Sequence, residues 1–293
     1  MDALLQQIVS GLATGGIYAS LALALVMIYH ATDHLNFAQG EMAMFATYLA
    51  WSLVNAGIPY WIAFFLTVVL AFAGGVAIER IIIRPVENAP ILTVVIVFIG
   101  LLIILNSLAG WIFTYDIQPF PSPFSEVPIQ FGSVYFSAHD LGAIGVTLVL
   151  LLLLFLFFRF TSLGLAMRAA AQNPESSRLV GIRVGWMLAV GWGLAAAIGA
   201  VAGIMVAPVL FLDPNMMGGV LLYAFASALF GGISSPAGAV FGGFFLGVVE
   251  NLAGTYVAFI GNELKLTVAL VIIIGVLLFK PSGLFGKVVV KRV

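Results

Sequence analysis

Residues 30–49 read HATDHLNFAQGEMAMFATYL, and the first twelve hold two histidines, an aspartate, an asparagine, a glutamine and a glutamate. On both sides the chain is almost wholly apolar. Of its 293 residues, 63% are hydrophobic and 8% charged, and the mean hydropathy is +1.19. A soluble domain carries about 25% charged residues to cover its surface. This chain has too few, so its outer surface faces lipid. It reads as an all-α integral membrane protein, a single multi-pass helical bundle over residues 1–293. The polar stretch is then a break within that bundle, and an acidic group at the centre of a span costs roughly 3 kcal/mol on insertion.

A helix needs about 20 mostly apolar residues to cross the hydrocarbon core. That length places spans near 6–29, 40–56, 60–79, 90–112, 140–160, 186–207, 218–233, 237–259 and 264–280, about nine in all. The start, MDALLQQIVSG, has no basic segment or small-residue cleavage site and reads as the approach to a retained helix. Arg80 and Arg84 follow the third span; Arg159, Arg168, Arg178 and Arg183 surround the loop after the fifth; Lys280, Lys287, Lys291 and Arg292 follow the ninth. If nine spans alternate, these clusters share one side, which the positive-inside rule makes cytoplasmic. The N-terminus is expected outside and the C-terminus inside. Residues 113–140, with four prolines and no Lys or Arg, form an external loop with a hairpin expected around Gly132–Ser133. Residues 161–185 form a polar, partly helical cytoplasmic loop.

The break at 30–41 has two readings. Non-helical backbone at membrane depth is tolerated only where it is buried in protein or lines a cavity, so Asn36, Gln39 and Glu41 suit a solute pathway. Alternatively the stretch is an ordinary cytoplasmic turn with Asn36 capping the next helix. His30 and His34, four apart around Asp33, resemble a metal pair, but a stable zinc site takes three or four protein ligands. No metal is expected. A second break, FLDPNMMGG at 211–219, puts Asp213 before a proline, which disfavours helix there. Asn215 and Tyr223 stand at the mouth of the short span that follows. Each break comes after a long span and before a short one, and by the topology above the two run in opposite directions. Paired interruptions of this kind mark an inverted-repeat transporter with broken helices. Glu250, within GGFFLGVVENLAGTYVAFI, either bonds a neighbouring helix or lines the path.

Gly11/Gly15, Gly199/Gly203, Gly238/Gly242 and Gly243/Gly247 are GxxxG pairs, which let helix backbones approach closely in lipid. No phosphate-binding loop occurs: GLFGKV has valine where serine or threonine is needed. No nucleophile elbow or zinc-protease motif is present either. No catalytic residue is assigned, and a net charge of −1 gives no reason to expect nucleic acid. The absence of cysteine excludes a disulfide framework.

Five blocks carry a resemblance: GLATGGIYASLALALVMIYHATDHLNFAQGEMAMFATYLAW, ERIIIRPVENAP, TSLGLAMRAAAQNPESSRLVGI, GGISSPAGAVFGGFFLGVVE and KPSGLFG. In this order they resemble the permease subunits of branched-chain amino-acid ABC importers, the smaller of that family's two permease types. The resemblance implies a bacterial inner-membrane protein paired with a second, related permease. It further implies two cytoplasmic ATPase subunits that use ATP-Mg, and a periplasmic solute-binding protein. It places Arg168, Gln172, Asn173, Pro174, Glu175 and Gly181 in the loop that docks on the ATPase, and Arg178 beside them. Ala166, Met167, Ala170 and Ala171 offer a small apolar face for such a partner. LNFAQGE is the sharpest block, although the family more often has histidine where Gln39 stands. His30 and His34 also depart from it, leaving room for urea, amides or aromatic acids as solutes.

The expected pathway residues are Asn36, Phe37, Gln39, Glu41, Met44, Asp213, Asn215 and Tyr223. Two other classes compete with the ATP-driven importer. One is an ion-coupled carrier or channel using Glu41, Glu250 or Asp213; the other is a structural subunit with no path of its own.

Overall fold

The computed structural model describes residues 2–286 except 33, 88, 126, 132, 133, 262 and 263. Asp33, Gly132, Ser133, Lys287, Lys291 and Arg292, all singled out from the sequence, lie outside the described residues. The α-helices are α1 Asp2–Thr32, α2 Gln39–Asn55, α3 Tyr60–Ile78, α4 Ile91–Phe113, α5 Ala138–Phe160 and α6 Ser162–Gln172. They continue with α7 Pro174–Leu179, α8 Val184–Leu210, α9 Met217–Gly231, α10 Pro236–Tyr256 and α11 Lys265–Phe279. A helix stands at each of the nine expected spans. Among the described residues, six helical stretches are long and apolar enough to cross a membrane: Ala3–His30, Tyr60–Val86, Ile91–Phe113, Ala138–Phe160, Val184–Leu210 and Pro236–Tyr256. Helices α2, α9 and α11 are shorter, at 17, 15 and 15 residues.

Local sequence sets most boundaries. Pro59 and Pro90, both extended, precede α3 and α4. Pro174 and Pro236 open α7 and α10, where a missing N–H costs nothing. The side chains of Asn173 and Ser235 cap those two helices by accepting from Ser176 N and Gly238 N. In the loop before α5, β1 (Ile129–Phe131) pairs antiparallel with β2 (Val134–Phe136), the hairpin expected there.

The chain divides into two compact units. The first comprises Met1–Val26, Ser122–Thr147 and Gly218–Val293. Within it, Gly11 and Gly15 of α1 meet Gly243 and Gly247 of α10 backbone to backbone. Gly238 and Gly242 of α10 likewise face Gly231 and Ser227 of α9. Leu284 and Phe285 donate to the carbonyls of Phe230 and Gly231, folding the KPSGLFG block back onto the end of α9.

The second unit comprises Met27–Pro121 and Leu148–Met217. Here α8 is the central element. Gly199 and Gly203 lie against Gln39, Ala43 and Thr47 of α2, while Gly75 of α3 meets the backbone of Trp192 and Gly193. The four GxxxG pairs named above are thus points of close helix approach. Among the long helices α1 and α8 are mostly buried, whereas α3, α4 and α5 expose large apolar side chains such as Phe65, Ile104 and Phe155. Such a surface suits lipid.

Helix α3 ends in a π-turn, Glu79–Ile83, followed by a short 3-10 turn, Arg84–Val86. The wider turn lets Arg84 fold back on Glu79, which is 2% exposed; Nη2 approaches Oε2 at 2.8 Å. The same Nη2 donates to the Gly185 carbonyl at 2.6 Å, tying the end of α3 to the start of α8. Arg84→Met leaves a buried carboxylate unpaired. It should cost about 3 kcal/mol, the low end for breaking a buried pair because Arg84 is a third exposed. Adding Glu79→Met should recover most of that loss, as read by the melting temperature of the purified protein.

Candidate functional site

From Asn36 onward the first break is largely buried, whereas His30 is exposed. Asn36 is wholly inaccessible; its Oδ1 accepts from Ala38 N at 3.0 Å, and its Nδ2 donates to Gln39 Oε1 at 3.4 Å. Asn36 therefore folds the break itself. It is not the cap of α2, because that position is Ala38 and no side chain caps the helix. The capping alternative fails because a side chain two residues upstream is spent on the turn.

Gln39, also wholly buried, donates to the Ala195 carbonyl at 2.9 Å. Ala195 is near the middle of α8, so α2 begins about halfway along that helix. Glu41 is 8% exposed and accepts from Asn106 Nδ2 at 3.4 Å. Asn106 sits about two-thirds of the way along α4. Two independent neighbours thus place the start of α2 well inside the unit.

The second break reaches the same point. Asn106 Nδ2 also donates to the Pro214 carbonyl at 2.9 Å and to Asn215 Oδ1 at 3.2 Å. Its two N–H bonds are shared among three acceptors. Asp213 Oδ1 accepts from Asn215 N at 2.6 Å, shaping that turn. Leu212 and Gln118 exchange both backbone hydrogen bonds, at 2.8 and 2.9 Å, pinning the break to the segment after α4. Thr114 and Phe211, which end α4 and α8, both have positive φ (68° and 64°) although neither is glycine. Such backbone costs about 1–3 kcal/mol per residue, and here it brings the two chain segments into register.

Of the eight expected pathway residues, Asn36, Gln39, Glu41, Asp213 and Asn215 gather around these breaks. Phe37 is partly exposed within the first, and Met44 is fully buried on α2. Tyr223 belongs to the other unit, stacked on Tyr18 with ring centroids 4.6 Å apart. Tyr18 Oη donates to Glu250 Oε2 at 2.9 Å, so Glu250 bonds a neighbouring helix. Sequence reasoning missed Asn106, although LLIILNSLAGW shows an amide inside an otherwise apolar span. That signal was available.

In the 161–185 loop, Thr161 caps α6 and Asn173 ends it. Arg168, Gln172, Asn173, Pro174, Glu175 and Arg178 are exposed. The apolar face expected to meet a partner is partly used by the fold: Ala170 is buried, and the Met167 side chain packs at Gly191 of α8. What remains outward mixes the polar residues above with Leu163, Leu165, Ala171, Leu179 and Val180. Gly181 closes α7 with φ +86° and open space around the missing Cβ. Gly181→Ala should cost about 1 kcal/mol through the left-handed backbone alone, lowering the melting temperature by a few degrees, and Gly181→Asn should cost less. Among the described residues no group of three His, Cys, Asp or Glu side chains comes together to hold a metal.

A family profile described as branched-chain amino acid transport system, permease component, matches residues 7–277. The chain belongs to that permease family. The permease is 32% identical to the high-affinity branched-chain amino acid transport system permease protein LivH of Salmonella typhimurium, covering 99% of this chain and 97% of that one. It is 30% identical to the corresponding protein BraD of Pseudomonas aeruginosa, over 99% and 98% of the two chains. A probable LivH of Methanocaldococcus jannaschii is 29% identical, over 91% and 87%. Among solved structures, PsaBC from Streptococcus pneumoniae in complex with Fab matches with TM-score 0.47 and 15% identity, covering 96% and 91%. The permease is a multi-pass membrane component of a transport system and not an enzyme.

Proposed function

We propose that this permease imports branched-chain amino acids, or similar small polar solutes, across a bacterial inner membrane, along a path through the two polar breaks. The observation that carries this is Asn106, bonded to Glu41 on one side and to Pro214 and Asn215 on the other. Intramembrane polar groups are functional by default, and irregular backbone inside a bundle is tolerated where it is buried in protein or lines a path. A zwitterion suits the place. The first turn of α2 presents N–H groups and the positive end of its dipole to a carboxylate, and Glu41 can receive an ammonium.

Nine spans, with the N-terminus outside and the C-terminus cytoplasmic, agree with the basic clusters. An inverted repeat is supported by chain membership. The leading helix of the first half, α1, belongs to the unit containing α9, α10 and α11, while that of the second, α8, belongs with α2, α3 and α4. In each unit the leading helix packs by glycine against a helix of the other half, α1 on α10 and α8 on α3.

The permease pairs with a second permease. Two cytoplasmic ATPase subunits supply ATP-Mg chemistry, since this chain has no phosphate-binding loop. A periplasmic binding protein delivers the solute. The exposed residues Arg168, Gln172, Asn173, Pro174, Glu175 and Arg178, with Gly181 closing the turn, form the ATPase contact. The test is purification of the tagged chain from its host in mild detergent. Two ATPases and a second permease at fixed ratio are expected, and Arg168→Glu or Glu175→Arg should release the ATPases. A chain recovered alone that moves solute without ATP would overturn this function.

A further inference from the structure

One cavity in the second unit is lined in part by His30, Thr32 and His34, at the start of the first break, but not by Asn36, Gln39, Glu41 or Asn106. It measures about 680 Å³, within the range of small-molecule sites. Val94, Phe98, Leu188 and Trp192 supply apolar lining, while His34, Glu87, Glu175 and Arg178 supply polar groups of both signs. The cavity is thus amphipathic, and one wall of it is the 161–185 loop itself, through residues 170–175 and Arg178, several of which also face the proposed ATPase contact.

Two residues of its lining each carry a buried atom with no partner. Trp192 is wholly inaccessible and stacks on Phe98 at 5.9 Å between centroids, yet its Nε1 has no acceptor. His34 Nδ1 bonds the carbonyl of Thr32. A carbonyl only accepts, so Nδ1 carries the proton and Nε2 of the neutral ring is an acceptor. That Nε2 is buried and also without a partner. Buried polar groups are nearly always satisfied, and an exception calls for a specific explanation. One unmet donor and one unmet acceptor beside an apolar floor match a carboxylate, an ammonium and an aliphatic side chain.

We propose that this cavity is a second solute site, reached from the cytoplasm, which binds a small zwitterion with an apolar side chain and slows import as that solute accumulates. The proposal rests on the import direction given above. Occupancy would wedge α6 and α7 apart from α4 and α8, the same helices that carry the ATPase contact and the path.

The test uses the whole transporter in vesicles, with ATP and rising unlabelled leucine on the cytoplasmic face and labelled leucine with binding protein on the other. Initial uptake by the wild type should fall several-fold as cytoplasmic-face leucine rises. Val94→Trp, which fills the cavity, and Glu87→Ala, an exposed rim change, should keep the rate measured without that leucine and lose most of the inhibition. If Val94→Trp does not assemble, Glu87→Ala decides. A wild-type rate indifferent to cytoplasmic-face leucine overturns the second site alone. So does inhibition that persists in the variants, because the leucine then acts in the path itself. No uptake by the wild type would overturn the import function and this site together.

Discussion

Gly247→Leu should leave almost no folded permease in the membrane. A Cβ at Gly247 collides with the carbonyl oxygen of Gly11 and with the backbone of Gly15, and no flexible side chain is there to move aside. Leucine adds three further carbons to that collision. Helix propensity works the other way, favouring the substitution by about 1 kcal/mol, so any loss is steric. Overpacking in a close-packed interior typically costs about 1–3 kcal/mol and more where nothing can yield. Against backbone on both helices, a loss of at least about 3 kcal/mol is expected, more than a hundredfold in the folded population. Gly145→Leu and Gly275→Leu are the controls, because nothing lies within 4 Å of a Cβ at either position. Size-exclusion profiles of fluorescent fusions read all three. A monodisperse Gly247→Leu peak of wild-type height would show that α1 and α10 do not meet as described.

Asn106→Leu should still reach the membrane folded, at a cost of about 1–3 kcal/mol in stability for the acceptors left unmet, and transport poorly. The substitution removes a side chain that bonds both breaks, leaving Glu41 Oε2, the Pro214 carbonyl and Asn215 Oδ1 without that donor. A hydrogen bond to a charged group contributes about 1.5–3 kcal/mol, so if the path depends on it uptake should fall roughly ten- to a hundredfold. Asn106→Asp should do worse despite its similar shape, since it sets a second carboxylate beside Glu41 and offers no N–H. Asn106→Gln should retain partial activity. Initial uptake rates, normalised to membrane abundance, separate the three. Wild-type uptake by Asn106→Leu would remove the two breaks from the transport path and leave them as structural turns.

Glu250 and Glu41 show why local sequence stops short. Each is one acidic residue in an apolar helix, and from sequence each could bond a neighbour or line a path. Glu250 proves to be held by Tyr18, a residue 232 positions away. Glu41 meets an amide from α4 that also reaches the second break. Neither partner can be inferred from spacing, because helix contacts depend on which faces turn toward each other. The apolar face of α6 makes the same point. Its periodicity was legible, but whether Met167 and Ala170 serve a partner or α8 depends on how the loop folds back.

By itself the sequence determined that this is a helical membrane protein, where its helices lie to within a turn, and where they are interrupted. Those features follow from composition, proline and glycine placement, and the cost of polar groups in lipid, all local. The four GxxxG pairs also announced close helix packing before any partner was known. Only the tertiary structure decided which glycine faced which, that α2 starts halfway along α8, and that both breaks converge on Asn106. These are pairings between segments distant in the chain, and their energy resides in the contact, so no single segment encodes them.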